Sequence, residues 1–506
     1  MKYSLLCTFL LLFVFFSTSA KVFLPAIISD NMVLQQQSEV KLWGKASFGE
    51  KININTSWGK NYFTTSGKDE KWSLIIKTPK ASVNQTITIK GENTIVIKNV
   101  LIGEVWLCSG QSNMDFPVAK ILRWQTGVIN YVEVIQEANY PEIRLFHIDQ
   151  KLSPEHELDS CNGHWEICNS ESVKTFSAVG YFFGRKLYQN LNVPIGLIQS
   201  TWGGTPAEAW TKMEVMEHDS VYTALINEFY SSRDHYPQDL KKYETNLKNY
   251  ELEVAKLASA NTDEKIKKPS KPKGIYHNKA LSTLWNGMIH PIINYFIKGV
   301  VWYQGESNSI RYNDYQHVFT KMIESWRTEW HQPEMPFYFV QIAPHYKQPP
   351  QIREAQLKTW QSVNNTGMVV ITDAGDSIDI HPRNKQIPGE RLASWALAKT
   401  YKKKIPYSGP RFVSIKTNNN EATLSFDFTN GGLMCSNDSI KGFTAASSNG
   451  VFYPAKATIN GEKIIVSSEQ VNKIENVRYG WDNFFRANLY NKEGLPASPF
   501  RTDTIK

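Results

Sequence analysis

The sequence predicts an α/β protein whose central domain is a parallel sheet covered by helices, with a β-sandwich-like module on either side. Three observations carry this prediction. Short β-type runs separated by turn clusters fill residues 21–100, similar runs return after about residue 400, and between them strands that are apolar almost throughout alternate with helical patterns. With 506 residues, 41% hydrophobic and 12% aromatic, the chain can bury several cores, which excludes disorder as its overall state.

Residues 1–20, MKYSLLCTFLLLFVFFSTSA, place one Lys before an apolar run and end on the small residues Thr18 and Ala20, the pattern of a secretory leader. The run is too short for a comfortable membrane span and no later segment approaches ~20 apolar residues. Export to a periplasmic or extracellular location, without membrane insertion, is the expectation. Cys7 sits inside the apolar run, far from the cleavage point, so no lipid anchor is read.

Residues 21–100 (KVFLPAIIS, EVKLWGKA, KININTSW, WSLIIKT, QTITIKG, TIVIKNV) form the expected N-terminal β-sandwich. Residues 101–400 hold the α/β domain, with the strands EVWLCSG, IGLIQST, GVVWYQG, FYFVQIA and MVVITDAG. Helices are expected from Ser177 through VGYFFGRKLYQNL and from Asp314 through YQHVFTKMIESWRTEW, where apolar residues recur at three and four spacing. An insertion at about 215–280 carries one narrow apolar stripe, Leu240, Tyr243, Leu247, Tyr250, Val254 and Leu257, and reads as a helical hairpin or arm ending in KIKKPSKPKG. Residues 401–506 return to short strands and predict a C-terminal β-rich domain.

The net charge of +8 suggests nucleic acid only until its distribution is considered. From Leu240 to Lys273 there are nine Lys against five acidic residues, so about half of the excess belongs to the insertion and reads as a solvated face. Cys108, Cys161, Cys168 and Cys435 are too few for a disulfide-built scaffold, although Cys161 and Cys168 are close enough in sequence for one local bridge. No spacing calls for a metal and no motif for a cofactor.

Four segments fall at the carboxyl ends of the predicted parallel strands, where such sheets bind ligands. In Gly110-Gln111-Ser112-Asn113-Met114, Ser112 is either an acyl-transfer nucleophile presented above the sheet or the cap of the next helix. In Ser200-Thr201-Trp202-Gly203-Gly204-Thr205, two glycines allow close backbone approach, as an oxyanion hole or as a plain turn. Trp302-Tyr303-Gln304-Gly305-Glu306-Ser307-Asn308 gathers polar groups that bind substrate or one another. Asp376-Ser377-Ile378-Asp379-Ile380-His381-Pro382 offers an imidazole with carboxylates two and five residues before it, a base for a Ser from another strand end.

The set GQSNM, WGGTPAEAW, WYQGESN and DIHPRNKQIPGERLA, with ALSTLWNGMIHPI before the third strand, resembles the sialate O-acetylesterases of the SGNH hydrolase superfamily, secreted bacterial type, over roughly residues 22–400. The resemblance implies an SGNH-type (flavodoxin-like) three-layer α/β/α domain and a serine esterase acting on an O-acetylated sialoglycan or a free sialic acid ester. It makes Ser112 the nucleophile and His381 the base. It places the oxyanion against N–H groups of Ser112 and of Gly203 or Gly204, and against the Gln304 side chain. Gln111, Asn113, Trp202, Glu306, Asp376 and Arg383 would contact substrate or support the site. The superfamily has Asn where this chain has Gln304, and Asp where it has Ile378, three residues before the His. The acid is therefore Asp379, Asp376, or none, with a backbone carbonyl steering the ring. Arg383, Arg311 and Arg353 are the cations available to a sialic carboxylate, unless each is paired with an acid. Two competing readings stand beside this one: an acetyl esterase of xylan or another polysaccharide, and a non-catalytic carbohydrate-binding surface protein. Oligomeric state is not readable.

Overall fold

The computed structural model describes residues 21–504 except 123, 260–263 and 437–438; the expected leader, residues 1–20, lies outside them. The central sheet is built from β1 (Thr94–Gly110), β2 (Tyr140–His147), β3 (Trp165–Cys168), β4 (Ile195–Thr201), β5 (Gly299–Tyr303), β6 (Phe337–Val340) and β7 (Thr366–Val369), in the order β7-β6-β5-β1-β4-β2-β3. All neighbours run parallel except the edge strand β3. The five expected apolar strands are all present; β2 and β3 are additions. β2 escapes the apolar pattern because Arg144 lies in its middle. That side chain is buried yet bonded to Pro141 O at 2.9 Å, Asn31 O at 3.2 Å and Asn99 Oδ1 at 3.2 Å, so its charge is compatible with a sheet interior.

Helices cover both faces. Ser177 caps α1 (Ala178–Leu191) by accepting from Gly180 N at 3.1 Å. A side chain at Gly180 would press on Cys108 Sγ of β1, so this glycine lets the helix lie close to the sheet. Val301 is the register partner of Cys108, hence its neighbour Trp302 points to the other face, where it stacks with Phe319 and meets Trp326 edge-on. Both belong to the amphipathic α3 (Tyr312–Glu329) that follows the arm helix described next.

The insertion is one helix, α2 (Thr223–Ser259), 37 residues or roughly 55 Å long, the arm of the two expected forms and not the hairpin. Of its side chains only Phe229 is buried, because a stripe one residue wide can cover a neighbour but cannot make a core. The chain returns without a second helix among the described residues and rejoins the arm's base, where the rings of Tyr236 and Tyr276 meet at a tilt, centroids 5.0 Å apart. Beyond α3 come α4 (Pro350–Ser362) and α5 (Gln386–Trp395). No helix of the described residues is long and apolar enough to cross a membrane.

Of the N-terminal strands, Lys60–Thr65 pairs with Lys51–Thr56, this with Ser82–Lys90, and the last with the first half of β1, while Glu39–Lys45 pairs separately with Lys71–Lys77. The boundary expected at 100/101 thus falls inside a continuous strand: Leu101–Gly103 pair with Val33–Gln35, and Glu104–Gly110 with Ile195–Thr201. The C-terminal module stacks two four-stranded sheets around its own core, which includes Leu424, Ile464, Val466, Tyr479 and Phe500. It docks through Arg501, which holds Glu354 at 2.9 and 3.1 Å, and through Arg353, which is fully buried and donates to the carbonyls of Asp482 and Asn483. Cys161 and Cys168 are free thiols, each pushed up to about 12 by burial.

Candidate active site

All four sequence segments converge above the carboxyl edge of β1, β4 and β5. Leaving β1, Gly110 takes φ 139 with Tyr303 of the adjacent strand where its side chain would be, so only glycine makes this corner. The single helical turn Ser112–Asp115 follows, with Ser112 at its start. From the loop after β7, His381 Nε2 lies 2.9 Å from Ser112 Oγ, a hydrogen bond between groups 269 residues apart. Burial, and next the charge of Lys385, lower the His381 pKa to about 4, although Asp379 acts the other way. The imidazole is therefore neutral at pH 7 and able to accept the serine proton.

The carboxylates divide their work. Asp379 Oδ1 accepts the backbone N–H of His381 at 2.8 Å and stands 3.7 Å from Nδ1, beside the ring but beyond hydrogen-bond length in this conformation. Asp376 does not reach the ring. It accepts from Ile378 N at 2.8 Å and Asp379 N at 3.0 Å, which lowers its pKa and closes the turn that presents Asp379.

On the other side of Ser112 lies Gly203, where a methyl would stand 3.4 Å from the serine Cβ. Asn278 Nδ2 holds the Gly203 carbonyl at 3.0 Å, and Trp202 N donates to Gly110 O at 3.2 Å, tying the two loops together. Gly204 has φ 73 and open space around its Cα. The Ser112 N–H opens a helical turn and has no acceptor within it, while those of Gly203 and Gly204 have no backbone acceptor among the described residues. These amides form the anion-receptive side of the site.

Gln304 departs from expectation. Its side chain is fully buried, Nε2 donates to Thr205 O at 3.2 Å and Asn308 Oδ1 at 2.6 Å, and Oε1 accepts from Tyr315 OH at 2.8 Å. Both amide hydrogens are committed, so it braces the loops after β4 and β5 and is no oxyanion donor. Asn308 continues this brace to Glu208, which also takes Arg311 at 2.6 Å. Gln111 Oε1 accepts from Ser307 N at 3.2 Å, fastening the nucleophile turn to the same loop.

Beneath Ser112 and His381 runs a buried chain of polar groups. Asn113 Nδ2 donates to Glu306 Oε1 at 2.6 Å and to Ile380 O at 3.0 Å, and Asn113 Oδ1 accepts from Lys385 Nζ. Lys385, 1% exposed, lies 4.8 Å from the centre of the Phe116 ring and 5.5 Å from that of Tyr303, and burial pulls its pKa down to about 7. Burial raises the pKa of Glu306, whose Oε2 has no partner among the described residues. Of the three arginines considered, Arg353 is sealed against the C-terminal module and Arg311 is paired. Arg383 donates to Gly127 O at 2.9 Å and Val128 O at 3.1 Å, lacing its loop to residues 127–128.

Sequence reasoning missed Lys385, Asn278 and Trp124, whose ring centre lies 5.1 Å from that of His381. Lys385 sits inside a quoted motif, but a lysine in a loop ordinarily reads as solvated. Nothing local marks Trp124.

Residues 102–238 and 245–398 match the family described as "Carbohydrate esterase, sialic acid-specific acetylesterase". The chain belongs to this family. Membership makes it a carboxylic ester hydrolase. Similar relatives include the sialate O-acetylesterase of Rattus norvegicus, 28% identical with 94% of this chain and 93% of the relative covered, and that of Homo sapiens, 31% identical with 76% and 72% covered. Among solved structures, a carbohydrate acetylesterase from Xanthomonas citri superimposes with a TM-score of 0.81 at 29% identity, over 96% of this chain and 100% of that one.

Proposed function

We propose that this family member removes O-acetyl groups from sialic acids through a serine acetyl-enzyme, with Ser112 as nucleophile and His381 as general base. The observation that carries the mechanism is the 2.9 Å bond between Ser112 Oγ and a neutral His381 Nε2. As Oγ attacks the acetyl carbonyl, its proton passes to Nε2. The new oxyanion is met by the N–H groups of Ser112 and of Gly203 or Gly204, which have no backbone acceptor among the described residues. The intermediate collapses when His381 returns the proton to the departing sugar oxygen. Water, deprotonated by the same imidazole, then attacks the acetyl-enzyme and releases acetate. Asp379 supports the imidazolium that forms in each half-reaction, its carboxylate closing the 3.7 Å gap as charge develops.

The sialic substrate is supported by the family and by relatives that match over most of their length, and acetylated xylan is the competing substrate. Residues 1–20 support export before the enzyme meets glycans. Acetate release from 9-O-acetylated sialic acid and from acetylated xylan, by wild type and by Ser112→Ala, tests the reading. Release from sialate that falls at least ~10⁴-fold in the variant upholds it. Release from xylan alone transfers the mechanism to another sugar, and undiminished release by the variant removes Ser112 from the chemistry.

A further inference from the structure

Two short segments, residues 120–122 and 124–126, pair with each other beside the catalytic pair. Lys120 bridges Thr126 and Ile121 N donates to Gln125 O at 3.0 Å. Gly127, with φ 77, follows them where any side chain would strike Lys120 N. The flanks are anchored on both sides, by Ala119 N donating to Lys174 O at 3.0 Å and by Arg383 holding the carbonyls of Gly127 and Val128. Between these anchors Ile121 is 46% exposed, Leu122 57% and Trp124 37%. Trp124 leans on the edge of Phe116, centroids 6.5 Å apart, and one side of its indole covers the His381 ring at 5.1 Å and 44°.

The chemistry fixes what must come next to that indole. The oxygen that leaves receives its proton from His381 Nε2, so the sugar carbon bearing it lies within a few ångströms of the imidazole. The acetyl carbonyl is drawn to the opposite side, toward the amides of Gly203 and Gly204. The sugar ring therefore occupies the flank that Trp124 walls. A pyranose presents a face of C–H groups, which stacks on an indole while its hydroxyls stay hydrated.

We propose that Trp124 is the sugar platform of this enzyme: it stacks on the pyranose that carries the acetyl group and sets selectivity for sugar esters over small acetyl esters. The proposal rests on the esterase reading above. The same ring keeps water from His381, in accord with the burial that holds the imidazole neutral. Removing it affects two quantities that can be separated. Loss of stacking raises KM for sugar esters alone, whereas rehydration of His381 acts on every ester and moves the acid limb of the pH profile upward.

The experiment compares kcat/KM for 9-O-acetylated sialic acid, acetylated xylo-oligosaccharide and ethyl acetate, whose leaving group has no face to stack, in wild type, Trp124→Ala and Trp124→Phe. In parallel, binding of the same two sugars to Ser112→Ala and to Ser112→Ala/Trp124→Ala is measured by calorimetry. The expected result is a sugar-to-ethyl acetate ratio at least 10-fold lower in Trp124→Ala, mostly through KM and largely restored by Trp124→Phe, with sugar affinity of the inert protein weakened to match. An unchanged ratio, or sugar binding to the inert protein that ignores Trp124, overturns the platform while leaving the esterase intact. Failure of wild type to cleave any sugar ester overturns the esterase reading instead, and the binding arm still decides the platform.

Discussion

Replacing Lys385 by Met should make stability respond differently to pH, with a magnitude set by burial. The lysine is 1% exposed, and its pKa falls from 10.5 to about 7. Below pH 7 both the folded and unfolded states carry the proton, and the folded state bears the whole cost of a buried ammonium. Between pH 7 and 10.5 the folded protein sheds the proton while the unfolded chain keeps it, so stability climbs with pH at about 1.4 kcal/mol per unit. From pH 7 to 9.5 the wild type gains about 3 kcal/mol at this group, and Lys385→Met, lacking it, gains none. Losing the bond to Asn113 Oδ1 costs the variant stability at every pH, but this offset cancels in the difference between the two pH values. Denaturant titrations of both proteins at pH 7 and 9.5, following the transition that includes the central domain, read the quantity directly. Parallel pH dependences would refute the reasoning, since they would mean that Lys385 is solvated and titrates normally.

Three further outcomes follow from the site. The neutral His381, with a pKa of about 4, makes kcat/KM rise through about pH 4 and stay level to neutrality; a limb at 6.5 in the pH profile would place the imidazole in water. Asp379→Ala should lower kcat about 10-fold or more because the imidazolium loses its anion, while Asp376→Ala should act more weakly, through the turn alone; steady-state kinetics on the two variants separates them, and equal losses would contradict the division. Gln304→Ala should cost about 2–4 kcal/mol in stability by orphaning Tyr315 and Asn308, seen as a lower Tm; an unchanged Tm with a 10²–10³-fold slower kcat would restore this amide to the oxyanion hole.

The parts of the site legible in the sequence were those fixed by strand ends. An apolar strand that stops at Gly110 or Tyr303 announces where its next residues will stand, and parallel topology brings those places together. Side-chain direction was not legible. Gln304 turns into the interior because Tyr315 of α3 reaches back to its carbonyl oxygen, a partner eleven residues on that no local pattern names. The edge strand β3, in contrast, was hidden by its shortness. Trp124 and Lys385 owe their meaning to neighbours more than 250 residues away, His381 and Asn113 respectively.

The 17-residue strand β1 gives the molecule a shared spine. Because one stretch of backbone closes the N-terminal sheet and then carries the nucleophile turn, the two units cannot be parted by cutting a linker. Removing residues 21–93 would leave Thr94–Gly103 as an unpaired ribbon of exposed amides hanging from the catalytic sheet, a template for self-association. Gene fusions and domain swaps that treat the first hundred residues as a detachable accessory are thus expected to yield insoluble protein, whereas any that keep the spine with both its partners preserve the seat of Ser112.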